Sequence, residues 1–327
     1  MHRIYSLSAH LRQRYLGRVQ KIPLDAGFSC PNRDGTISTS GCLFCNPAGS
    51  GSGMKDRGLD IPAQWRFWRD IHRKKHRLER FTAYLQSFSN TYGPIDKLAR
   101  TLDQLAGLPG LTALSIGTRP DCLDPDKLDL LAARRDALGL TDITLEMGLQ
   151  SASDTTLKHI NRGHDARAFA DAACAAHQRG ITVVAHVIAG LPTPDGREDQ
   201  SDLGSTIDFI NDLPVRGIKF HNLYVARRTP LAQLHAQGGY TPLTLDEYLD
   251  HLSHALMRLS PTTVVHRLNG NPSSGELVAP DWAANMRALH NTVRNHLDAR
   301  DIWQGKLNTA PTGPPAWFSP EYKGDTP

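Results

Sequence analysis

Three cysteines near the start of the chain are the residues whose spacing is most specific for chemistry. Cys30, Cys42 and Cys45 follow a C-x11-C-x2-C pattern in the segment CPNRDGTISTSGCLFC. This segment comes directly after a predicted strand, KIPLDAGF, and contains Gly35 and Gly41. Thiolates bind zinc and iron–sulfur clusters. Three of them on one flexible loop can converge on a single inorganic centre.

Three kinds of centre are compatible with these thiols. A structural zinc ion prefers four ligands in a closed tetrahedron, and no fourth Cys or His stands at a short finger-like spacing. A cluster held by four thiolates also lacks one local ligand. Three thiolates suit a [4Fe–4S] cluster with one open iron, which S-adenosylmethionine (SAM) can chelate before reductive cleavage to a 5′-deoxyadenosyl radical. The iron–sulfur interpretation is favoured, and zinc and unrelated thiols are the alternatives.

The composition is typical of a globular protein without a membrane segment. Of the 327 residues, 39% are hydrophobic and 21% are charged. No apolar stretch approaches the roughly 18 residues that span a bilayer. The first residues, MHRIYSLSAHLRQRYLG, lack the apolar region of a secretory signal. An odd total of five cysteines does not suit a disulfide framework. We therefore expect a cytoplasmic protein with no membrane partner.

Apolar, β-branched segments alternate with helical patterns along most of the chain. Such alternation predicts βα units and a parallel sheet. Right-handed crossovers would curl six units into an α/β fold, a partial (β/α)6 TIM-like barrel. The predicted strands lie near Gln20–Phe28, Phe81–Gln86, Leu111–Ile116, Ile143–Leu149, Ile181–Ile188 and Gly217–Tyr224, and the helices near Ile61–Arg80, Ile95–Ala106, Pro125–Leu138, Asp165–Arg179 and Asp199–Leu213.

The pattern changes after the sixth predicted strand. We expect a core barrel over residues 1–235 and a helical C-terminal extension over 236–305, with helices at 241–259 and 282–297 and a possible further strand at 262–268. Residues 306–327 form a Pro-rich tail, which is expected to be poorly ordered.

Polar residues interrupt the predicted strands near their carboxyl ends. Glu146 and Gln150 share one face of the fourth strand, and Gln86, His186 and Lys219 stand on the second, fifth and sixth. Strands covered on both sides are normally almost continuously apolar. The polar positions therefore predict a ligand site at the carboxyl end of the barrel, with a satisfied buried network as the structural alternative.

Several motifs resemble those of the radical SAM superfamily. They are VQKIPLDAGFSCPNRDG, SFSNTYGP, GTRPDCL, LEMGLQS…INRGH, HVIAGLPT and IKFHNLYVARRTPLA, which together span roughly residues 1–300. The eleven residues between the first two cysteines resemble the Elongator catalytic-subunit branch, where the usual superfamily spacing is three. The combination looks like the YhcC/YtqA type of radical SAM protein. The resemblance implies a [4Fe–4S] cluster, SAM as cofactor, and an electron donor such as flavodoxin or ferredoxin.

The resemblance also implies roles for individual residues. Cys30, Cys42 and Cys45 are the expected cluster ligands, and the pattern shared with coproporphyrinogen-oxidase-like enzymes assigns SAM contacts to Gln150 and Arg162. The remaining candidates for cofactor binding are Phe44 beside the cluster, Glu146 toward SAM or substrate, His186 and Gly190 around the GLP turn, and Gln86 and Asn90 in the region where many relatives carry Gly-Gly-Glu.

Cys122, which follows a strand end in TRPDC, is a candidate hydrogen-atom donor or redox thiol; a buried small residue is the alternative. Cys174, in the Ala-rich helix DAACAAHQRG, is expected to be a core residue, and the two remaining cysteines cannot build a second three-thiolate cluster.

The substrate is suggested only by charge and by the resemblance. Residues 1–80 hold 15 Lys and Arg against 6 Asp and Glu, and Arg66–Arg80 alone holds seven against two. A solvated helix face and a phosphate-contacting face both fit this pattern. The Elongator-like branch is linked to wobble-uridine modification, so tRNA is the expected partner. The alternatives are a radical SAM enzyme acting on a small molecule or protein, and a non-catalytic zinc or RNA-binding module.

Overall fold

The structure is a computed structural model that describes residues 3–46, 49, 54, 57–308 and 317. Its strands, in chain order, are β1 (Gln20–Leu24), β2 (Phe81–Leu85), β3 (Leu111–Thr118), β4 (Ile143–Gln150), β5 (Thr182–Ala189), β6 (Pro192–Thr193), β7 (Gly196–Arg197), β8 (Gly217–Asn222), β9 (Val225–Ala226), β10 (Val264–Arg267) and β11 (Leu277–Ala279).

The helices cover the sheet and form most of the C-terminal part. They are α1 (Leu7–Tyr15), α2 (Ile61–His76), α3 (Ile95–Asp103), α4 (Pro125–Ala137), α5 (Asp154–His159), α6 (Ala166–Gln178), α7 (Gln200–Asn211), α8 (Pro230–Ala236), α9 (Leu245–Arg258) and α10 (Met286–Ala299). Among the described residues, no helix combines the length and apolarity that crossing a membrane requires.

Seven strands form one parallel sheet in the order β1-β2-β3-β4-β5-β8-β10. The sheet curls into a half-barrel. The curl brings Lys21 on β1 and Lys219 on β8 into contact with Glu146 on β4. The predicted α/β half-barrel is confirmed, and all six predicted strands are present. The seventh strand, β10, follows the six predicted βα units in the chain and pairs with β8 at the edge of the sheet.

Helix α2 ends earlier than the sequence pattern predicted. Its N-cap Asp60 accepts a hydrogen bond from the Ala63 amide at 2.8 Å, but the helix stops at His76 because Arg77 adopts a left-handed conformation with φ 52°. The prediction that it extends to Arg80 was wrong. Trp65 is fully buried and packs against Phe81 with ring centroids 6.0 Å apart, which fixes the helix on the sheet.

The sequence pattern predicts that Phe67, Trp68, Ile71 and Leu78 anchor this segment to the barrel. Leu78 is buried and Trp68 packs against the core, whereas Phe67 is 46% exposed and Ile71 is 39% exposed, so the prediction was wrong for these two. Ile61 and Trp65 add a core contact near the start of the helix, where the i to i+4 spacing places both on the inner face.

The C-terminal part packs against the barrel through helix α9, which lies on α7. A capping box between Thr244 and Glu247 starts α9, and Tyr248 donates a hydrogen bond to the Leu268 carbonyl. The domain boundary at residue 235 stays a prediction, although β10 joins the barrel sheet from beyond it. In the tail, Trp317 is buried and donates to the Pro261 carbonyl at 2.9 Å; the rest of residues 309–327 lies outside the described residues.

Candidate functional site

The cysteine loop opens into a cavity at the carboxyl ends of the strands, which we call the upper cavity. Its volume is about 220 Å³, and Cys30, Cys42 and Cys45 all line it. Cys42 is buried, and the other two thiols are half-buried. Two tight turns shape the loop, because the Arg33 amide donates to the Cys30 carbonyl and the Cys45 amide to the Cys42 carbonyl. The loop therefore presents three thiols to one space.

The loop is held against the segment that follows α5. Asn32 is fully buried, and its Nδ2 donates to the Asn161 carbonyl at 2.7 Å and the Arg162 carbonyl at 3.1 Å. The Asn161 amide group in turn donates to the Gly41 carbonyl at 2.7 Å. The backbone amide of Leu43 also donates to the Ile160 carbonyl at 3.1 Å, at the start of this segment. These paired contacts fix the loop without using the thiols.

A second tether joins the loop to the C-terminal part of the chain. Arg33 Nη2 donates to the carbonyls of Cys45 and Asn46 at 2.9 and 2.6 Å. Asn46 Nδ2 donates to Glu276 Oε2 at 2.6 Å, and Tyr224 donates to the other oxygen of that carboxylate at 2.9 Å. Glu276 therefore links the residue that follows Cys45 to the region beyond the predicted core.

The cavity combines thiols with positive charge. Burial raises the pKa of the Cys45 thiol and outweighs the opposing effect of Arg33. Arg162 Nη1 lies 3.7 Å from Cys42 Sγ, and Asn32 Nδ2 lies 3.6 Å from the same sulfur. Donors aimed at a sulfur stabilise its thiolate, which is the form that binds a metal.

Gln150 and Arg162 lie together in the upper cavity, as the sequence predicted. Arg162 Nη2 donates to the Gly148 carbonyl at 2.6 Å. A Cβ atom at Gly148 would lie 2.4 Å from Gln150 Nε2 and 2.5 Å from Arg162 Nη2. Both contacts are shorter than atoms tolerate, so the glycine gives these two polar side chains the room they occupy.

Glu146 is the centre of a buried ionic cluster inside the half-barrel. Its carboxylate contacts the ammonium groups of Lys21 and Lys219, and His186 Nε2 lies 3.3 Å from Oε2. Burial alone would raise the pKa of Glu146, but the two lysines outweigh it and hold the pKa well below its ordinary value. Burial lowers the pKa of His186 to about 4, so this imidazole is neutral at pH 7.

Burial in this cluster also affects the protonation of Lys219. Burial lowers the pKa of Lys219 to about 8 against the favourable effect of Glu146. Both Lys21 and Lys219 lie over the Tyr84 ring, with Nζ 5.2 and 4.8 Å from its centroid. Glu146 and His186 line the upper cavity, so this cluster forms the floor beneath the thiols.

The other predicted cofactor residues divide into two groups. Phe44 and Gln86 line the upper cavity. Asn90 and Gly190 are outside its lining. The Asn90 amide donates to the carbonyls of Ser87 and Gly117 at 3.0 and 2.9 Å, and the Gly190 carbonyl accepts from Tyr240 at 2.7 Å. Asn90 therefore supports the cavity wall, whereas Gly190 is tied to the chain beyond β9.

Cys122 is not brought to the cavity. It ends a short 3-10 turn over Pro120–Cys122 and is 5% exposed. Burial raises the pKa of its thiol to about 11, so the group is protonated at neutral pH. Its placement matches the alternative of a buried small residue.

Arg119 is a cavity residue that the sequence reasoning did not single out. It is 3% exposed, and its Nε and Nη2 donate to Asp121 at 2.9 and 2.8 Å. Its buried Nη1 has no protein partner among the described residues, and neither does Arg162 Nε. The Arg-x-Asp spacing within GTRPDCL is the sequence feature from which this pair could have been predicted.

The residues present fit a [4Fe–4S] cluster and SAM. Each cysteine of such a cluster binds a different iron, so the three thiols line a space instead of meeting at one point. Within the described part of the chain, no three His, Cys, Asp or Glu side chains come together around a single metal ion. The unpartnered buried N–H groups of Arg119 and Arg162 suit an acceptor that the protein itself does not supply, such as a carboxylate.

Comparisons of the sequence with protein families agree with this geometry. The profile of the radical SAM superfamily matches residues 34–202, and that of the radical SAM C-terminal domain matches residues 215–299. The first match begins four residues after Cys30 and includes Cys42 and Cys45.

Two bacterial proteins are similar over nearly their whole length. YtqA of Bacillus subtilis is 33% identical over 305 residues, which are 93% of this chain and 92% of that protein. YhcC of Escherichia coli K12 is 34% identical over 93% of this chain and 95% of that protein. Human Elongator complex protein 3 is 28% identical over 55% of this chain but only 30% of its own length.

A solved structure supports the fold. The archaeal Elp3 of Methanocaldococcus infernus, with an N-terminal deletion, superimposes with a TM-score of 0.64 at 16% identity, covering 88% of this chain and 64% of that one. With the superfamily profile matching half of the sequence and full-length relatives above 30% identity, the chain belongs to the radical SAM superfamily.

Proposed function

We propose that the protein is a radical SAM enzyme that holds a [4Fe–4S] cluster through Cys30, Cys42 and Cys45. The observation that carries this proposal is that all three thiols line one cavity together with Gln150 and Arg162. A bound cluster supplies the electron that cleaves SAM into methionine and a 5′-deoxyadenosyl radical. An electron donor such as flavodoxin or ferredoxin and a cytoplasmic location belong to the same proposal.

Arg162 and Arg119 bind the anionic end of SAM in this proposal. Both guanidinium groups are buried and keep unpartnered N–H groups beside the thiols. A carboxylate that accepts from them gains charge-assisted hydrogen bonds in a site of low dielectric constant. Gln150 provides a neutral amide on the same wall, and Gly148 keeps the space open for it.

The ionic cluster around Glu146 orients the floor of the site. Glu146 stays ionised because the charges of Lys21 and Lys219 keep its pKa low. Its carboxylate lines the upper cavity beside neutral His186 and can accept further hydrogen bonds there. A carboxylate in this position suits hydroxyl or amino groups of SAM or of the substrate. The surrounding buried side chains exclude water, which protects a reactive radical.

Metal analysis after anaerobic reconstitution separates this proposal from the zinc alternative. The enzyme is expected to bind about four irons with the broad visible absorption of an iron–sulfur cluster. One tightly bound zinc per chain, with no iron-dependent absorption, would support a structural zinc module and contradict the proposal. Cys174 on α6 is exposed, so the prediction that it is a core residue was wrong, and Cys174→Ala is the matched control that should retain all the iron.

We propose tRNA as the substrate, with helix α2 as the phosphate-contacting surface. Arg66, Arg73, Lys74 and Lys75 are exposed on or near this helix, together with the exposed ring of Phe67. Cations next to an exposed aromatic ring are typical of nucleic-acid surfaces. The resemblance to Elongator-type proteins is the second support.

The cations of α2 are not all close to the thiols. The helix begins at Ile61 near the carboxyl end of β1, where Gln64 Nε2 donates to the Asp25 carbonyl at 2.9 Å. It then runs for about 24 Å toward the amino end of β2. Arg66 is thus nearer the upper cavity, and Arg73 and Arg77 lie at the far end. A tRNA is large enough to contact both ends while one base enters the cavity.

The substrate proposal is tested by comparing modified nucleosides in tRNA from cells with and without the gene. Loss of one modification, restored by the wild-type gene but not by a Cys45→Ala copy, is the expected result. An unchanged nucleoside profile would contradict the tRNA substrate and favour a small-molecule or protein substrate. It would leave the SAM chemistry itself untouched, because that is measured separately.

A further inference from the structure

A second and larger cavity lies at the opposite end of the half-barrel, and we call it the lower cavity. It has a volume of about 780 Å³ and is lined by the amino ends of the strands, with α1 along one side. Small-molecule sites usually measure about 300–1,000 Å³. The lower cavity contains none of the three cluster cysteines and neither of the predicted SAM contacts.

Several hydroxyl groups line the lower cavity at strand positions where a structural barrel end would carry apolar side chains. Thr82 on β2 and Ser115 on β3 line it, and they are only 5% and 2% exposed. Neither hydroxyl hydrogen-bonds to another protein group in the described part of the chain. In register, Ser115 pairs with Thr144, which pairs with Thr182, so hydroxyls stand side by side across three strands. Strands packed only for stability are expected to be Val, Ile or Leu here.

The charge of the lower cavity is positive. Arg14, Lys21 and Arg216 line it, and Asp142 is the one carboxylate in its lining. That carboxylate is already used, because Thr144 and Thr182 donate to its two oxygens at 3.3 and 3.0 Å and Arg14 Nη1 lies 4.0 Å away. Arg216 stands at the exposed rim with no ion pair among the described residues. Because Lys21 is paired with Glu146, Arg216 supplies the positive charge that is left for a ligand.

We propose that the lower cavity is a second ligand site, for a small molecule that carries a phosphate or carboxylate group. Arg216 and Lys21 bind the anion, and the hydroxyls of Thr82 and Ser115 hydrogen-bond to the rest of the ligand. An arginine at the rim presents a forked donor that matches either oxyanion. This site is separate from the SAM site and does not depend on the proposed function.

Among the described residues, an ion pair joins the two cavities. Lys21 lines the lower cavity, and its partner Glu146 lines the upper one. An anion bound below competes with Glu146 for the Lys21 ammonium group. Occupancy of the lower cavity therefore changes the charge environment of the floor of the upper cavity.

Isothermal titration of the full-length protein tests the site with adenosine 5′-monophosphate and citrate, and with adenosine as the uncharged control. One of the two anions is expected to bind with a dissociation constant below about 1 mM, and adenosine is not. Arg216→Gln should weaken that binding at least about tenfold, the loss of one charge-assisted hydrogen bond. Arg100→Gln, an exposed arginine on α3 outside the cavity, should leave it unchanged.

A variant of the upper cavity locates the bound anion. Arg162→Ala should leave the affinity for the anion within about twofold, since Arg162 does not line the lower cavity. The proposal is overturned if neither anion binds to the wild-type protein at millimolar concentration, if Arg216→Gln binds it equally well, or if Arg162→Ala removes binding. Because no SAM cleavage is measured, failure here is distinct from failure of the enzymatic function.

Discussion

Arg162 bridges the cysteine loop and strand β4, with Nη1 3.7 Å from the Cys42 sulfur and Nη2 donating to the Gly148 carbonyl at 2.6 Å. Arg162 and Cys42 are 120 positions apart in the sequence. One buried guanidinium therefore contacts the sulfur of a proposed cluster ligand and lines the cavity in which we propose that SAM binds. This arrangement explains why the loop and the fourth strand must act as one site.

Removal of this guanidinium is expected to weaken SAM binding. Arg162→Ala loses a charge-assisted hydrogen bond worth on the order of 1.5–3 kcal/mol, which is a ten- to hundredfold rise in the dissociation constant for SAM. Equilibrium dialysis with labelled SAM on reconstituted protein provides the measurement. Arg167→Ala, an exposed residue on the neighbouring helix α6, is the control. Equal SAM affinity in Arg162→Ala and wild type would contradict the assigned contact.

Gly148, which lies against the ends of Gln150 and Arg162, leads to a second prediction. Gly148→Ala places a Cβ atom against the ends of Gln150 and Arg162, at 2.4 and 2.5 Å, so both must move. We expect a folded protein whose SAM affinity falls by about tenfold, since one charged contact is lost. Gly117→Ala on β3 is matched, because its Cβ would meet only the Leu85 carbonyl oxygen at 3.4 Å and the Tyr84 hydroxyl at 3.5 Å. Similar affinities in the two variants would argue against this steric account.

The buried carboxyl group of Glu198 is expected to make the free energy of unfolding depend on pH. Burial raises the pKa of this carboxyl to about 7 from its ordinary value of 4.5, against the hydrogen bond that Ser151 donates at 2.5 Å. Between these pH values the folded state binds more protons than the unfolded state. The free energy of unfolding therefore falls as the pH rises from 4.5 to 7, by up to about 3 kcal/mol from this group.

Denaturant unfolding at several pH values measures this effect. Glu198→Gln keeps an acceptor for Ser151 but removes the charge, so its stability should decline less between pH 4.5 and 7 than that of the wild type. Glu79→Gln, an exposed carboxylate, should follow the wild-type curve. Parallel curves for Glu198→Gln and wild type would show that the carboxyl titrates normally.

Much of the fold was predictable from sequence, and the reasons are local. β-branched runs and regularly spaced breakers located all six predicted strands, because periodicity follows from burial. The end of α2 was not predictable, since a left-handed Arg77 replaces the glycine that usually marks a helix end. The convergence of the three thiols on one space was predicted from the C-x11-C-x2-C spacing.

The ionic cluster could not be predicted, because no short-range pattern links its members. Lys21 and Lys219 meet at Glu146 only when β1, β4 and β8 curl around one lumen. Polar residues on the strands indicated a site, but they did not identify which charges would pair. Arg119 was missed for a related reason, since its partner Asp121 satisfies it locally and its free N–H is visible only in three dimensions.

The basic surface of α2 makes a prediction about RNA. Replacing Arg73, Lys74, Lys75 and Arg77 together with glutamine should weaken tRNA binding and flatten its dependence on salt, because fewer counterions are released. Filter binding at several salt concentrations gives both quantities. The control replaces four exposed arginines elsewhere, namely Arg100, Arg167, Arg287 and Arg294. An equal loss in both variants would mean that only net charge matters and that α2 is not the contact surface.

The most direct test of the central claim is anaerobic cleavage of SAM by the reconstituted protein, measured as 5′-deoxyadenosine formed after addition of dithionite. Wild type and Cys174→Ala are expected to form 5′-deoxyadenosine, and Cys45→Ala is expected to form none while its far-ultraviolet circular dichroism stays that of wild type. Formation of 5′-deoxyadenosine by Cys45→Ala at the wild-type rate, or no formation by an iron-loaded wild-type protein, would contradict the assignment of this cavity to radical SAM chemistry.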